Sequence, residues 1–311
     1  MRGRRNVKCA VFVVAVGSLI STRAAVAQPQ QQFSTEVNRV EITFTVTDRR
    51  GHSATLGRGD FEIFDDQRPQ RIIDFSPESE MPLRLALLID TSNSVRDRFR
   101  FLQEAAIEFL NRSLRTGIDE AMVVSFDSSP EMALDFSFEE RQLDEKIRDL
   151  RPGGATALYD AVELAARRLA EAARVGPRHR AAIVIFSDGE DNQSRLTRGQ
   201  ALEAAQRANA VLFAVSTREQ GPESGGDKVL QFVTSETGGI ALFPFRMEDL
   251  GHSFDNVANL LRHQYNILYR PEPLVADGKF HPVEIRLKQQ KGLVVRARKG
   301  YYAPVAPPAG K

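Results

Sequence analysis

Five nearly continuous apolar runs through the middle of the chain constrain its fold more than any other feature. Leu83–Asp90 reads LRLALLID, and comparable runs follow at 121–126, 181–187, 211–215 and 240–243. A strand wetted on one face alternates apolar with polar residues, so a run that is apolar at almost every position belongs to a strand covered on both faces, as in a parallel sheet. Between the runs apolar residues recur at helical spacing: Leu102, Ala105, Ala106 and Phe109 in one segment, Leu158, Ala161, Val162, Ala165 and Leu169 in another. Further helices are expected over 139–150, 197–209, 228–237 and 247–262. Strands alternating with helices imply βαβ units with right-handed crossovers, so the expected fold class is α/β, a doubly wound, mostly parallel sheet between helix layers.

The flanks carry a different pattern. Val40, Ile42, Phe44 and Val46 alternate with polar residues, Phe61 and Ile63 form a second short strand, and Ile72, Ile73 and Phe75 a third, with a turn over the polar stretch 65–70. Strand patterns return at 265–269, at Val283, Ile285 and Leu287, and at 294–297. Each flank, 35–80 and 264–302, is too small to bury a core alone. The two are therefore expected to pair into one small antiparallel β-sandwich, with an α/β domain over 82–262 inserted between them. The tail 303–311, APVAPPAGK, reads as disordered.

The first 27 residues have the three parts of a secretory signal peptide: a basic start (Arg2, Arg4, Arg5, Lys8), an apolar run from Cys9 to Ile20 and the small-residue cleavage signal Ala25-Val26-Ala27. Residues 28–34 are a polar lead-in. No later run is long and apolar enough for a transmembrane segment, which places the mature chain as secreted or periplasmic. The only cysteine is Cys9, so the mature protein has no disulfide, thiolate metal site or cysteine nucleophile. The whole chain has 42 Lys and Arg against 41 Asp and Glu. Removal of the basic leader leaves a slight acidic excess, which gives no electrostatic case for nucleic acid.

Asp90, Ser92 and Ser94 in DTSNS, Thr156 in GGATALYD and Asp188 in SDGED all follow strand ends or turns. In an open α/β sheet, ligands bind at the carboxyl ends of the strands, so three distant segments converge on one edge. Alternate positions 90, 92 and 94 can point the same way. An all-oxygen donor set suits a hard cation, Mg²⁺ first, with Mn²⁺ or Ca²⁺ as substitutes. With only two carboxylates among five donors the ion stays electrophilic and ready to accept an acidic group from another molecule.

These segments resemble the von Willebrand factor type A family: DTSNS fits its Asp-x-Ser-x-Ser motif, Thr156 its distal threonine and SDGED its distal aspartate motif, over about residues 82–250. The resemblance implies a Rossmann-like domain with a metal-ion-dependent adhesion site. Ser92, Ser94 and Thr156 would be direct or near-direct ligands, and Asp90 and Asp188 would act partly through water. The partner it implies is a protein offering an Asp or Glu to the metal. The flanking segments VTDRRGHSATLGRGDFEIFDDQRPQRIIDFS and KFHPVEIRL are similar to those of exported bacterial proteins related to this family, numerous in acidobacteria.

The expected function is a non-enzymatic binding module; a metal-stabilised component of an envelope assembly and a metal-assisted hydrolase are the alternatives. Hydrolysis needs a general base, and Glu190 and Asp191 read as solvated loop charges. No GxxxxGK phosphate loop and no GxSxG elbow occurs. His52, His179, His252, His263 and His281 lack zinc-site spacing, and the Arg58-Gly59-Asp60 tripeptide reads as a turn.

Overall fold

The computed structural model describes residues 39–218, 223–244, 249–289 and 292–305. The expected leader, the lead-in, the end of the tail from 306 and the helix start at 247–248 lie outside the described residues. The described residues belong to one compact unit. It opens with strands β1 (Val40–Asp48), β2 (Phe61–Asp65), β3 (Arg68–Gln70) and β4 (Ile72–Pro77). The α/β part follows as β5 (Leu83–Asp90), α1 (Phe99–Ser113), β6 (Glu120–Phe126), β7 (Pro130–Ser137), α2 (Glu140–Asp149), α3 (Leu158–Val175), β8 (Arg180–Ser187), α4 (Arg198–Arg207), β9 (Ala210–Ser216), α5 (Gly225–Thr237), β10 (Ala241–Leu242) and α6 (Asp249–Arg262). The chain returns through β11 (Gln264–Tyr269), β12 (Phe280–Leu287), β13 (Leu293–Ala297) and β14 (Gly300–Tyr302).

The central sheet has the order β10-β9-β8-β5-β6-β7, parallel except for β7. Its middle strand, β5, explains why the apolar runs are continuous. Leu83, Leu85, Leu87 and Ile89 pack with Phe109 of α1 and with Phe254 and Leu261 of α6 on one face. Ala86 and Leu88 pack on the other against Ala161, Ala165 and Leu169 of α3 and Leu230 of α5. Phe109 and Phe254 meet edge to face at 5.5 Å. Each side chain leaves water whichever way it points, and each fully buried Leu or Ile contributes roughly 1.5–3 kcal/mol.

Sequence periodicity misses β7, a half-buried antiparallel edge strand that pairs Phe126 with Pro130. An edge strand covered unevenly on both faces leaves neither an alternating nor a continuous apolar signal. The run at 240–243 contributes only the two-residue strand β10.

The flanking strands form two antiparallel sheets, β13-β1-β11-β4 and β14-β12-β2-β3. Each contains strands from both ends of the chain: Ile42 of β1 lies opposite Ile267 of β11, and Ile63 of β2 opposite Ile285 of β12. These residues share one core with Phe44, Phe61, Tyr265 and Tyr269, and the Phe44 and Phe61 rings meet edge to face at 5.1 Å. The turn expected over 65–70 is only Asp66 and Gln67, with φ of 47° and 65°, a tight hairpin turn that returns the chain as β3. The tail expected to be disordered from 303 is ordered through Val305. Ala303 is fully buried and donates to the Lys279 carbonyl, and Val305 bridges Asp277. The Arg58–Asp60 tripeptide is a single 3-10 turn held from both ends: Arg58 donates to the Ile72 carbonyl, and Asp60 accepts from Gly57 N at 2.8 Å.

Glu78, just after β4, is 4% exposed; its Oε1 accepts no hydrogen bond and has only a long ion-pair contact with Arg178, at 3.6 Å. Burial pushes its carboxyl up to about 7 against a weaker opposing pull from Arg180. A carboxyl raised in the folded state binds its proton more tightly there than in the unfolded chain. Its contribution is therefore complete below about pH 4.5 and is lost as pH rises through about 7. Glu78→Gln is expected to stabilise the protein by about 1–3 kcal/mol at pH 8 and to leave it nearly unchanged at pH 4.5. Urea unfolding at the two pH values checks this; equal effects at both would contradict it.

Candidate metal centre

β5 and β8 are adjacent parallel strands, with Ile89 opposite Phe186, so Asp90 and Asp188 leave the sheet at the same carboxyl edge. Asp90 is fully buried. Its Oδ1 accepts from Ser92 N at 2.9 Å and its Oδ2 from Ser187 Oγ at 2.6 Å. Ser187 in turn accepts from Gly189 N at 3.0 Å, so the carboxylate is aimed by both strands. Past Asp90 the chain enters a 3-10 turn, Asn93–Arg98, with Ser92 at its N-cap. That turn brings the Ser92 and Ser94 hydroxyl oxygens to 2.9 Å. Ser92 is buried and Ser94 exposed, so the pair faces outward from the sheet edge. Asp188 is half-buried and accepts from Glu190 N at 3.1 Å.

Thr156 is held on the same edge by backbone bonds. Gly153 N donates to Thr91 O at 2.6 Å and Asn93 N to Gly154 O at 3.2 Å, which stitches the 152–156 loop to DTSNS. Gly154 has φ +80°, and a Cβ there would lie 2.8 Å from Ser128 Oγ, so the turn requires glycine. From the other side Thr156 N donates to Asn192 Oδ1, and Asn192 N to Thr156 O, both at 3.0 Å. Asp90, Ser92 and Ser94 thus touch directly, whereas Thr156 and Asp188 join them through backbone and loop contacts.

Of the two acids read from the sequence as solvated loop charges, Glu190 is exposed and Asp191 half-buried, and both accept backbone hydrogen bonds. Asp191 Oδ2 accepts from Tyr159 N at 3.1 Å in the first turn of α3 and from Ser194 Oγ at 2.5 Å. Glu190 Oε1 accepts from Gly226 N at 3.3 Å in the first turn of α5. Both carboxylates satisfy N–H groups that a helix start leaves without partners. Sequence reasoning also missed Ser187 and Asn192, which orient donors rather than belong to the donor pattern; Ser187 sits in plain view at the head of SDGED.

Burial pushes the Asp90 carboxyl up to about 6. Its hydrogen bonds with Ser187 and Ser92 oppose the shift, and the Asp188 charge adds to it. A buried carboxylate held against its desolvation cost is one that a bound cation relieves. The hydroxyl spacing fits as well: adjacent ligands of an octahedral ion with bonds of about 2.0–2.1 Å lie about 2.9 Å apart. The residues present therefore suit a small hard divalent ion.

Residues 85–190 match the family model described as von Willebrand factor type A domain. Among curated proteins no sequence match is found. Similar solved structures include a D319A mutant of the PilB minor pilin from Streptococcus sanguinis, at 14% identity and TM-score 0.47, covering 59% of this chain and 62% of the pilin. This chain thus spans less than two thirds of that pilin's length. BatB from Bacteroides thetaiotaomicron is similar at 15% identity and TM-score 0.46, with 57% of this chain and 98% of that one covered. A von Willebrand factor type A protein from Catenulispora acidiphila is similar at 14% identity and TM-score 0.48, with 77% and 75% covered. The segment that matches the von Willebrand factor type A domain model runs from the start of β5 through the SDGE of the distal motif and so contains all five of the predicted donor positions.

Proposed function

We propose that this chain is an exported, non-enzymatic, adhesion-type binding module whose Asp90, Ser92, Ser94, Thr156 and Asp188 hold Mg²⁺ for an acidic side chain of a partner protein. The observation that carries the reading is the Ser92–Ser94 hydroxyl pair, 2.9 Å apart and set over the buried Asp90 carboxylate. A bound Mg²⁺ supplies a coordination position short of anionic charge, because three of the five donors are neutral hydroxyls. The chain's own part is positional. Ser187 and the Ser92 amide hold Asp90, and the 152–156 loop and Asn192 hold Thr156. The neighbouring acids favour binding over hydrolysis, since Glu190 and Asp191 both cap helices and leave neither poised as a general base. Among the described residues no helix is long and apolar enough to cross a membrane.

Calorimetric titration of chelator-treated protein tests the proposal. One equivalent of Mg²⁺ is expected to bind, about tenfold or more weakly after Thr156→Val. Capture of an exported partner should require Mg²⁺ and reverse with chelator, and ester and phosphoester substrates should remain intact. Absence of Mg²⁺ binding, or an affinity indifferent to Thr156→Val, would sink it.

A further inference from the structure

We propose a second metal site, for a transition-metal ion of the Zn²⁺ class, in the antiparallel part of the fold, with His281, Asp66 and Asp65 as ligands. His281 lies on β12, Asp65 ends β2, and Asp66 occupies the tight turn into β3. Their ligand atoms lie within 4.8 Å of one another. His281 Nδ1 is 2.7 Å from Asp66 Oδ2, and its Nε2 is 3.1 Å from Asp277 Oδ1.

The surroundings are those of a metal ligand set. A histidine that ligates a metal through one nitrogen donates its other N–H to a carboxylate or carbonyl, which fixes tautomer and ring orientation. Asp277 is placed for that role. The Tyr301 ring stacks on His281 at 5.5 Å and 23°, restraining rotation of the imidazole. Ligating carboxylates are themselves held by outer hydrogen bonds. Two hydroxyls, Tyr269 at 2.8 Å and Tyr301 at 3.1 Å, donate to the same oxygen of Asp65, leaving its second oxygen for an ion.

The site is sheltered as well: Asp65 and His281 are 4% and 8% exposed, so an ion bound between them would be largely shielded from water. Asp66 is exposed and sits in a turn, so its carboxylate can exchange the contact with His281 Nδ1 for a shared ion. One nitrogen and two carboxylate oxygens suit Zn²⁺ or Co²⁺ better than Mg²⁺, and three protein ligands leave room for water. An ion here pins the β2–β3 turn to β12 and so ties together strands from the two ends of the chain.

The test uses the full chain without a polyhistidine tag, chelator-treated and then held in excess Mg²⁺ to saturate the Asp90 region, with Co²⁺ as the probe. One equivalent of Co²⁺ is expected to bind, to develop visible absorption typical of nitrogen-containing low-coordinate cobalt, and to lose it when Zn²⁺ is added. Asp90→Ala should leave this signal intact. His281→Gln should abolish it, and Asp277→Asn should weaken binding by about 10–100-fold. Asp66→Asn keeps the turn, because Asn also tolerates positive φ, and should weaken binding at least as much. That variant decides the matter if His281→Gln fails to fold. A signal unchanged in Asp66→Asn, or no stoichiometric Co²⁺ binding by the native chain, overturns the proposal and leaves His281 as a hydrogen-bonded link between two carboxylates.

Discussion

Asp90→Ala is expected to weaken Mg²⁺ binding at the proposed site on the order of 100-fold, while the fold survives. The two halves of this result have separate causes. Asp90 is the residue on which the donor loop is built: its carboxylate accepts from the Ser92 amide and from Ser187, linking β5, β8 and the start of DTSNS. Without it the Ser92–Ser94 hydroxyl pair has no carboxylate behind it and Asp188 is the only acid left in the donor set. Stability, by contrast, changes little because opposing terms nearly cancel. Removing the acceptor leaves two buried donors short of a partner, at about 1–3 kcal/mol each. It also abolishes a buried charge whose pKa is raised from 3.8 to about 6, worth about 3 kcal/mol at neutral pH. Circular dichroism and urea unfolding in chelator should show a native-like protein, and calorimetry should show no Mg²⁺ heat. A variant that binds Mg²⁺ normally would remove Asp90 from the site.

Gly226→Ala is expected to lower stability by about 1–3 kcal/mol and to weaken Mg²⁺ binding by about 10–100-fold, although Gly226 contributes no side chain to the site. A Cβ at this position would lie 2.2 Å from the Asp188 carbonyl, 2.9 Å from Gly189 C and 3.0 Å from Glu190 N. All three atoms are backbone, so no side chain can swing aside. Gly189, at φ +80°, already needs a conformation that other residues rarely adopt and cannot relieve the clash. Either α5 retreats or the 188–190 loop moves, and both displace Asp188. The gain in helix propensity from Gly to Ala offsets only about 1 kcal/mol. Gly225→Ala is the control: its Cβ would meet nothing closer than Glu190 Oε1 at 4.0 Å, so stability and Mg²⁺ affinity should hold or rise slightly. Equal behaviour of the two variants would mean that α5 does not position Asp188.

The sequence and the structure agree most closely where burial is extreme. β5, β6, β8 and β9 are legible because their side chains are covered on both faces, and α1 and α3 because each buries one stripe. The elements that escape notice, β3, β7 and β14, are short or half-wetted edges, where neighbours from other strands decide burial. The proposed donors 90, 92, 94, 156 and 188 are legible because oxygen-bearing side chains in strand-end motifs leave a pattern in the sequence. Ser187 and Asn192 escape because an orienting hydrogen bond leaves none.

His281 marks the limit of local reading. Its spacing to other histidines predicts no site, yet Asp66, 215 positions away, lies against its ring. What the sequence by itself determined was the class of each segment and the chemistry available at the strand ends, since periodicity records how one element meets water and core. What only the tertiary structure decided was adjacency. The antiparallel pairing of β2 with β12 brings Asp65, Asp66 and His281 together, and the approach of α5 to the 188–190 loop sets Asp188. Such contacts depend on where separate elements pack against one another, and spacing along a single segment carries no record of that.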